Sequence, residues 1–106
     1  MFFPEMAVFR QRLISGDIYN ASNETFAALK VIKEKLPSIC GKTVAVAVGS
    51  RRIDQIDVIV AEVIRFLKNL GARPFIIAAM GSHGGASEEG QKSVLAGYGI
   101  TESAMG

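Results

Sequence analysis

The chain has 106 residues, 49% hydrophobic and 21% charged, which suits one soluble globular domain and excludes a fibre or a low-complexity tract. Its net charge of +2 comes from basic residues scattered along the chain, so no nucleic-acid footprint is expected. The lone cysteine, Cys40, excludes an internal disulfide, a cysteine-zinc cluster and a CxxC redox pair, and fits a reducing, cytoplasmic setting.

Membrane and secretion readings fail on the same pass. Glu62, Arg65 and Lys68 interrupt the longest apolar stretch, short of the roughly 18 to 20 residues a span needs. The start, Met-Phe-Phe-Pro-Glu-Met, lacks the basic region and long apolar core of a signal peptide.

Within residues 1–21, Met6, Val8 and Phe9 suggest an extended piece, giving way to a polar turn at Ser15-Gly16-Asp17; Phe2 and Phe3 are expected to pack, or to contact missing sequence, rather than to form a binding platform. A helix follows, with Ser22 as N-cap, Glu24 in its first turn and Phe26, Leu29, Ile32 and Leu36 along one face, ended by Pro37. Cys40 reads as a small core residue.

Residues 43–48, Thr-Val-Ala-Val-Ala-Val, form an apolar, β-branched run between glycines, the pattern of a strand covered on both faces in a parallel sheet. Asp54 is the expected cap of a second helix reaching about Leu70. Its core face is Ile56, Ile59, Val60, Val63, Leu67 and Leu70, with Glu62 off the stripe and Val58 and Phe66 left to meet other protein. Residues 74–79, Pro-Phe-Ile-Ile-Ala-Ala, make a second strand.

A strand, helix and strand joined this way imply a parallel pair, with both carboxyl ends at one edge. Ser87 then caps a third helix carrying Gln91, Val94, Leu95 and Tyr98 on one side, and Thr101-Glu102 opens another. The fold class expected is α/β, a Rossmann-like βαβ three-layer fragment with a mostly parallel sheet. The whole of 1–106 reads as one domain and as the truncated N-terminal part of a larger two-domain protein, because so few strands make a thin sheet. Self-association as a homo-oligomer, or a missing C-terminal domain, is the corresponding expectation.

Two loops at the shared edge hold the candidate chemistry. Gly49-Ser50-Arg51-Arg52 offers backbone N–H groups, a hydroxyl and guanidinium groups for a carboxylate or phosphate; read plainly, it is a solvated turn. Gly81-Ser82-His83-Gly84-Gly85 sets the chain's single histidine among glycines that admit a ligand closely; read plainly, it is a flexible loop with an exposed imidazole. No GxGxxG or GxxxxGK[ST] signature is present, so ATP or NAD is not expected, and Ser82 lacks a GxSxG elbow. One His, one Cys and the Glu88-Glu89 pair do not make a metal site.

Residues 43–105 carry Val-Gly-Ser-Arg-Arg-Ile-Asp, then Gly-Ala-Arg-Pro-Phe-Ile-Ile-Ala-Ala-Met-Gly-Ser-His-Gly-Gly-Ala, then Tyr-Gly-Ile-Thr-Glu-Ser-Ala-Met-Gly. Together they resemble the N-terminal domain of the nickel-dependent lactate racemase (LarA-like) family, most specifically through Met-Gly-Ser-His-Gly-Gly-Ala. The racemase's own loop has an acidic residue and a threonine before its arginine and a proline after it. Residues 48–52, Val-Gly-Ser-Arg-Arg, have none of these, so the resemblance is to a branch apart from the racemase itself.

That resemblance implies an isomerase with two α/β domains around a nickel-pincer mononucleotide, racemising or epimerising a 2-hydroxy acid. It makes His83 the acid-base group, Arg51 the anion clamp and Ser50 the neighbouring hydroxyl, with Gly81 and Ser82 lining the substrate or cofactor site. The family's second histidine, lysines and nickel ligand belong to later sequence, so this segment alone is expected to be inactive and to hold no cofactor. The alternatives are a non-catalytic α/β module binding a small phosphate or carboxylate, and an oligomerising interaction fragment.

Overall fold

The computed structural model describes residues 1–12, 16 and 20–106. The expected Ser15 and Asp17 of the first turn lie outside the described residues. Residues 1–12 form no regular element, so the extended piece at Met6, Val8 and Phe9 is not a strand, and Phe2 and Phe3 are exposed rather than packed.

The first helix, α1, spans Ala21–Lys33. Asn20 caps it rather than Ser22, its side chain accepting from the Asn23 N–H at 3.0 Å. It stops before Leu36, at Glu34. Its packed side is Ala21, Ser22, Thr25 and Leu29, which leaves Phe26, Ile32 and Leu36 exposed. The reason lies in α2, spanning Ile56–Asn69, across which α1 packs.

Glu62 of α2 is buried at 5% exposure although the helical period puts it off the apolar stripe. It accepts from Ser22 Oγ at 2.6 Å and from Arg65 Nη1 at 2.8 Å, so the buried charge is satisfied from both helices. The same contact covers Phe66, which joins Leu67 and Ala72 in a small core with Leu29, Ile39 and Val44 instead of facing outward. Cys40 is exposed, not in a core. Its Sγ comes so near Gly71, itself left-handed at φ +78°, that a β-carbon there would sit 2.8 Å away.

Strands β1 (Thr43–Val48) and β2 (Arg73–Ala78) pair in parallel, from Thr43 beside Arg73 to Val48 beside Ala78, as the βαβ pattern requires. Val44, Val46, Val48, Pro74, Ile76 and Ala78 turn to the covered face, and Ala45, Ala47, Phe75 and Ile77 to the open one. The covering on both faces that the unbroken apolar runs predict is therefore not found among the described residues. On the covered side Val48, Ile56, Val60, Ile64, Met80, Leu95 and Ile100 form the main core.

The chain ends in α3 (Glu88–Gly97) and a single turn, α4 (Glu102–Met105). Ser87 caps α3 by accepting from the Gly90 N–H at 3.1 Å, and Thr101 caps α4, both where the sequence puts them. The architecture is thus mixed α/β on a two-stranded parallel sheet. Among the described residues no helix is long and apolar enough to cross a membrane.

Candidate functional site

Because β1 and β2 run in parallel, their carboxyl ends deliver two loops to the same edge, the side where open α/β sheets take ligands. The Ala79 N–H donates to the Val48 carbonyl at 2.8 Å, which carries the strand register one step into the loops. Residues 49–51 and 79–83 enclose a cleft of about 400 Å³. All five predicted site residues, Ser50, Arg51, Gly81, Ser82 and His83, line it.

A hydrogen bond between Ser50 Oγ and His83 Nδ1 crosses the cleft. It joins the two loops through the groups the sequence singles out. Arg51 stands beside it, exposed, and makes no ion pair among the described residues. Arg51 and His83 therefore line the same cleft.

The backbone of this edge is unusual. Gly81, Gly84 and Gly85 take positive φ angles of 59°, 64° and 66°. At Gly84 a β-carbon would lie 2.4 Å from the Gly90 carbonyl carbon, so the turn can close onto α3 only with glycine on both sides. In the other loop Arg52 and Gln55 hold left-handed conformations without being glycine. Gln55, not Asp54, occupies the N-cap of α2 and gives no side-chain cap, so Asp54 does not play its expected role.

Ala79, Met80, Tyr98 and Gln91 take part without being singled out for the site by the sequence. Gly49, Ala79 and Met80 complete the cleft wall, and Tyr98 donates its hydroxyl to the Ser50 carbonyl at 3.2 Å. Gln91 acts similarly on the second loop, its amide nitrogen donating to the Gly81 carbonyl at 2.9 Å. The available signal is that Gln91 and Tyr98 put polar groups on the inward face of α3, where a polar group needs a partner.

A larger, mainly apolar hollow of about 590 Å³ lies by the first half of β2, between α2, α3 and α4. It contains none of the predicted site residues, and its groups suit packing more than chemistry. Among the described residues no three His, Cys, Asp or Glu side chains gather where they could hold one metal ion. Comparison with protein-family models, with curated proteins and with solved structures finds no match for this chain.

Proposed function

We propose that this chain is the N-terminal segment of a cytoplasmic, Rossmann-like LarA-type racemase or epimerase acting on a 2-hydroxy acid. The observation that carries the reading is the hydrogen bond between Ser50 and His83 with Arg51 lining the same cleft. An acid-base group and an anion clamp are the two functions such a substrate requires at adjacent atoms.

The chemistry follows from the imidazole's two nitrogens. In the tautomer whose Nδ1–H donates to Ser50 Oγ, Nε2 keeps its lone pair for the substrate hydroxyl proton. Once that proton is taken, Nδ1 remains a donor and Ser50 remains its acceptor, so the ring stays in place through the transfer. Ser50 is thus a positioning residue. Arg51 pairs with the carboxylate, bringing the C2 hydroxyl to His83.

The cleft's donors, two hydroxyls, a guanidinium and backbone N–H groups, fit the phosphate of a mononucleotide or the carboxylate of a substrate. They supply no set of nickel ligands, so a metal would be held by residues other than these. In the family resembled, the bound nickel-pincer mononucleotide supplies the hydride chemistry.

The same cleft would also serve a binding module without proton transfer, and one pair of variants separates the readings. In the native protein, His83→Ala is expected to lower interconversion of the 2-hydroxy acid's stereoisomers, read by chiral chromatography, by roughly 10²- to 10⁴-fold. Arg51→Ala is expected to raise KM by roughly 10- to 100-fold. A module would lose affinity with Arg51→Ala alone, and an interaction fragment would respond to neither; both outcomes contradict the enzyme reading.

A further inference from the structure

Gln91 and Tyr98 stand at i and i+7 along α3 and its C-cap, and each grips a different loop of the cleft. The Tyr98 hydroxyl donates to the Ser50 carbonyl at 3.2 Å, and the Gln91 amide donates to the Gly81 carbonyl at 2.9 Å. In a trans peptide the carbonyl and the following N–H point in opposite directions, and no described peptide bond is cis. With Ser50 C=O drawn to α3, the Arg51 N–H turns away from that helix. The Ser82 N–H does the same on the second loop, for the same reason.

The cleft is lined by the two loops and the strand ends and by no residue of α3. Among the described residues neither N–H donates to a backbone acceptor. The two carbonyls, whose partial negative charge would repel an anion, are held back on the helix side. We infer that α3 is a latch, in which Tyr98 and Gln91 act as positioning residues that aim the Arg51 and Ser82 amides at one bound oxyanion. The inference rests on the anion-binding reading above and deepens it: the ligand is held by two backbone donors besides the Arg51 side chain. Phosphate and carboxylate share this chemistry, so each is tried separately.

The test is an amide-resolved NMR titration of the chain with inorganic phosphate and, in a second series, with lactate, for the wild type, Tyr98→Phe and Gln91→Met. The wild type is expected to show downfield movement of both the Arg51 and the Ser82 amides, with the tighter of the two anions naming the source. Each variant is expected to weaken the affinity by roughly three- to ten-fold. Tyr98→Phe should shrink the Arg51 response and spare Ser82; Gln91→Met should do the reverse, with melting temperatures close to wild type. That crossed pattern is one a general loosening of the fold would not give.

If both variants titrate like the wild type, the latch is wrong. The latch also fails, while the site reading stands, if either anion moves the Arg51 guanidinium and the His83 ring but neither amide. If no anion moves any of these groups, both fall.

Discussion

The two strand-loop-helix modules share a plan of apolar strand, Gly-Ser with a cationic residue, and helix, but they enter their helices differently. The second module uses glycine at 81, 84 and 85 to turn left-handed, with Ala86 as its exception, and closes through the Ser87 side-chain cap. The first makes its left-handed turns at Arg52 and Gln55 and starts α2 with no side-chain cap. A non-glycine residue in that conformation costs roughly 1 kcal/mol, and such residues gather at ligand-facing loops where the surroundings over-determine them. The glycine-rich loop is thus built for close packing onto α3, and the arginine loop holds a strained path beside the cleft.

Three substitutions sharpen that difference. Gly84→Ala should have the largest effect, lowering stability by about 3 kcal/mol or more, because a β-carbon there meets Gly90 and Gln91 backbone and φ is positive. Chemical denaturation measures it, and a loss near zero would mean the loop relaxes freely. Ser87→Ala and Gln55→Gly form a pair of opposite sign. The first should remove about 1 kcal/mol with the lost cap. The second should add up to about 0.5 kcal/mol by relieving the left-handed residue at the start of α2. Should both destabilise equally, the contrast between the modules is not one of strain.

Much of this fold is legible in the sequence, for local reasons. The runs at 43–48 and 74–79 and the i, i+3, i+4 spacing of Ile56, Val60, Val63 and Leu67 lead directly to the βαβ unit. The Ser87 and Thr101 caps follow from side chains placed before acidic first turns. Departures arise where tertiary packing decides. Glu62 and Phe66 are buried because α1 lies across α2, and Ser22, forty positions away, serves as a hydrogen-bond donor there rather than as a cap. Beyond Thr43 and Arg73 at the strand starts, the open face, with Phe75 48% and Ile77 42% exposed, carries apolar residues as the covered one does, so the runs show little alternation. At the site, Ser50, Arg51 and His83 announce themselves by chemistry and by sitting at strand ends. Tyr98 and Gln91 do not, since they act on carbonyls that carry no side-chain signal.

The central claim is that the arginine loop and the histidine loop face one small anion. The most direct measurement follows the Arg51 guanidinium and His83 imidazole resonances together during a titration with a 2-hydroxy acid. The account predicts that both move along curves with a single dissociation constant, and that Ser50→Ala, which removes the group bridging the loops, weakens both in step. Separate constants for the two groups, or a response confined to one loop, would contradict it.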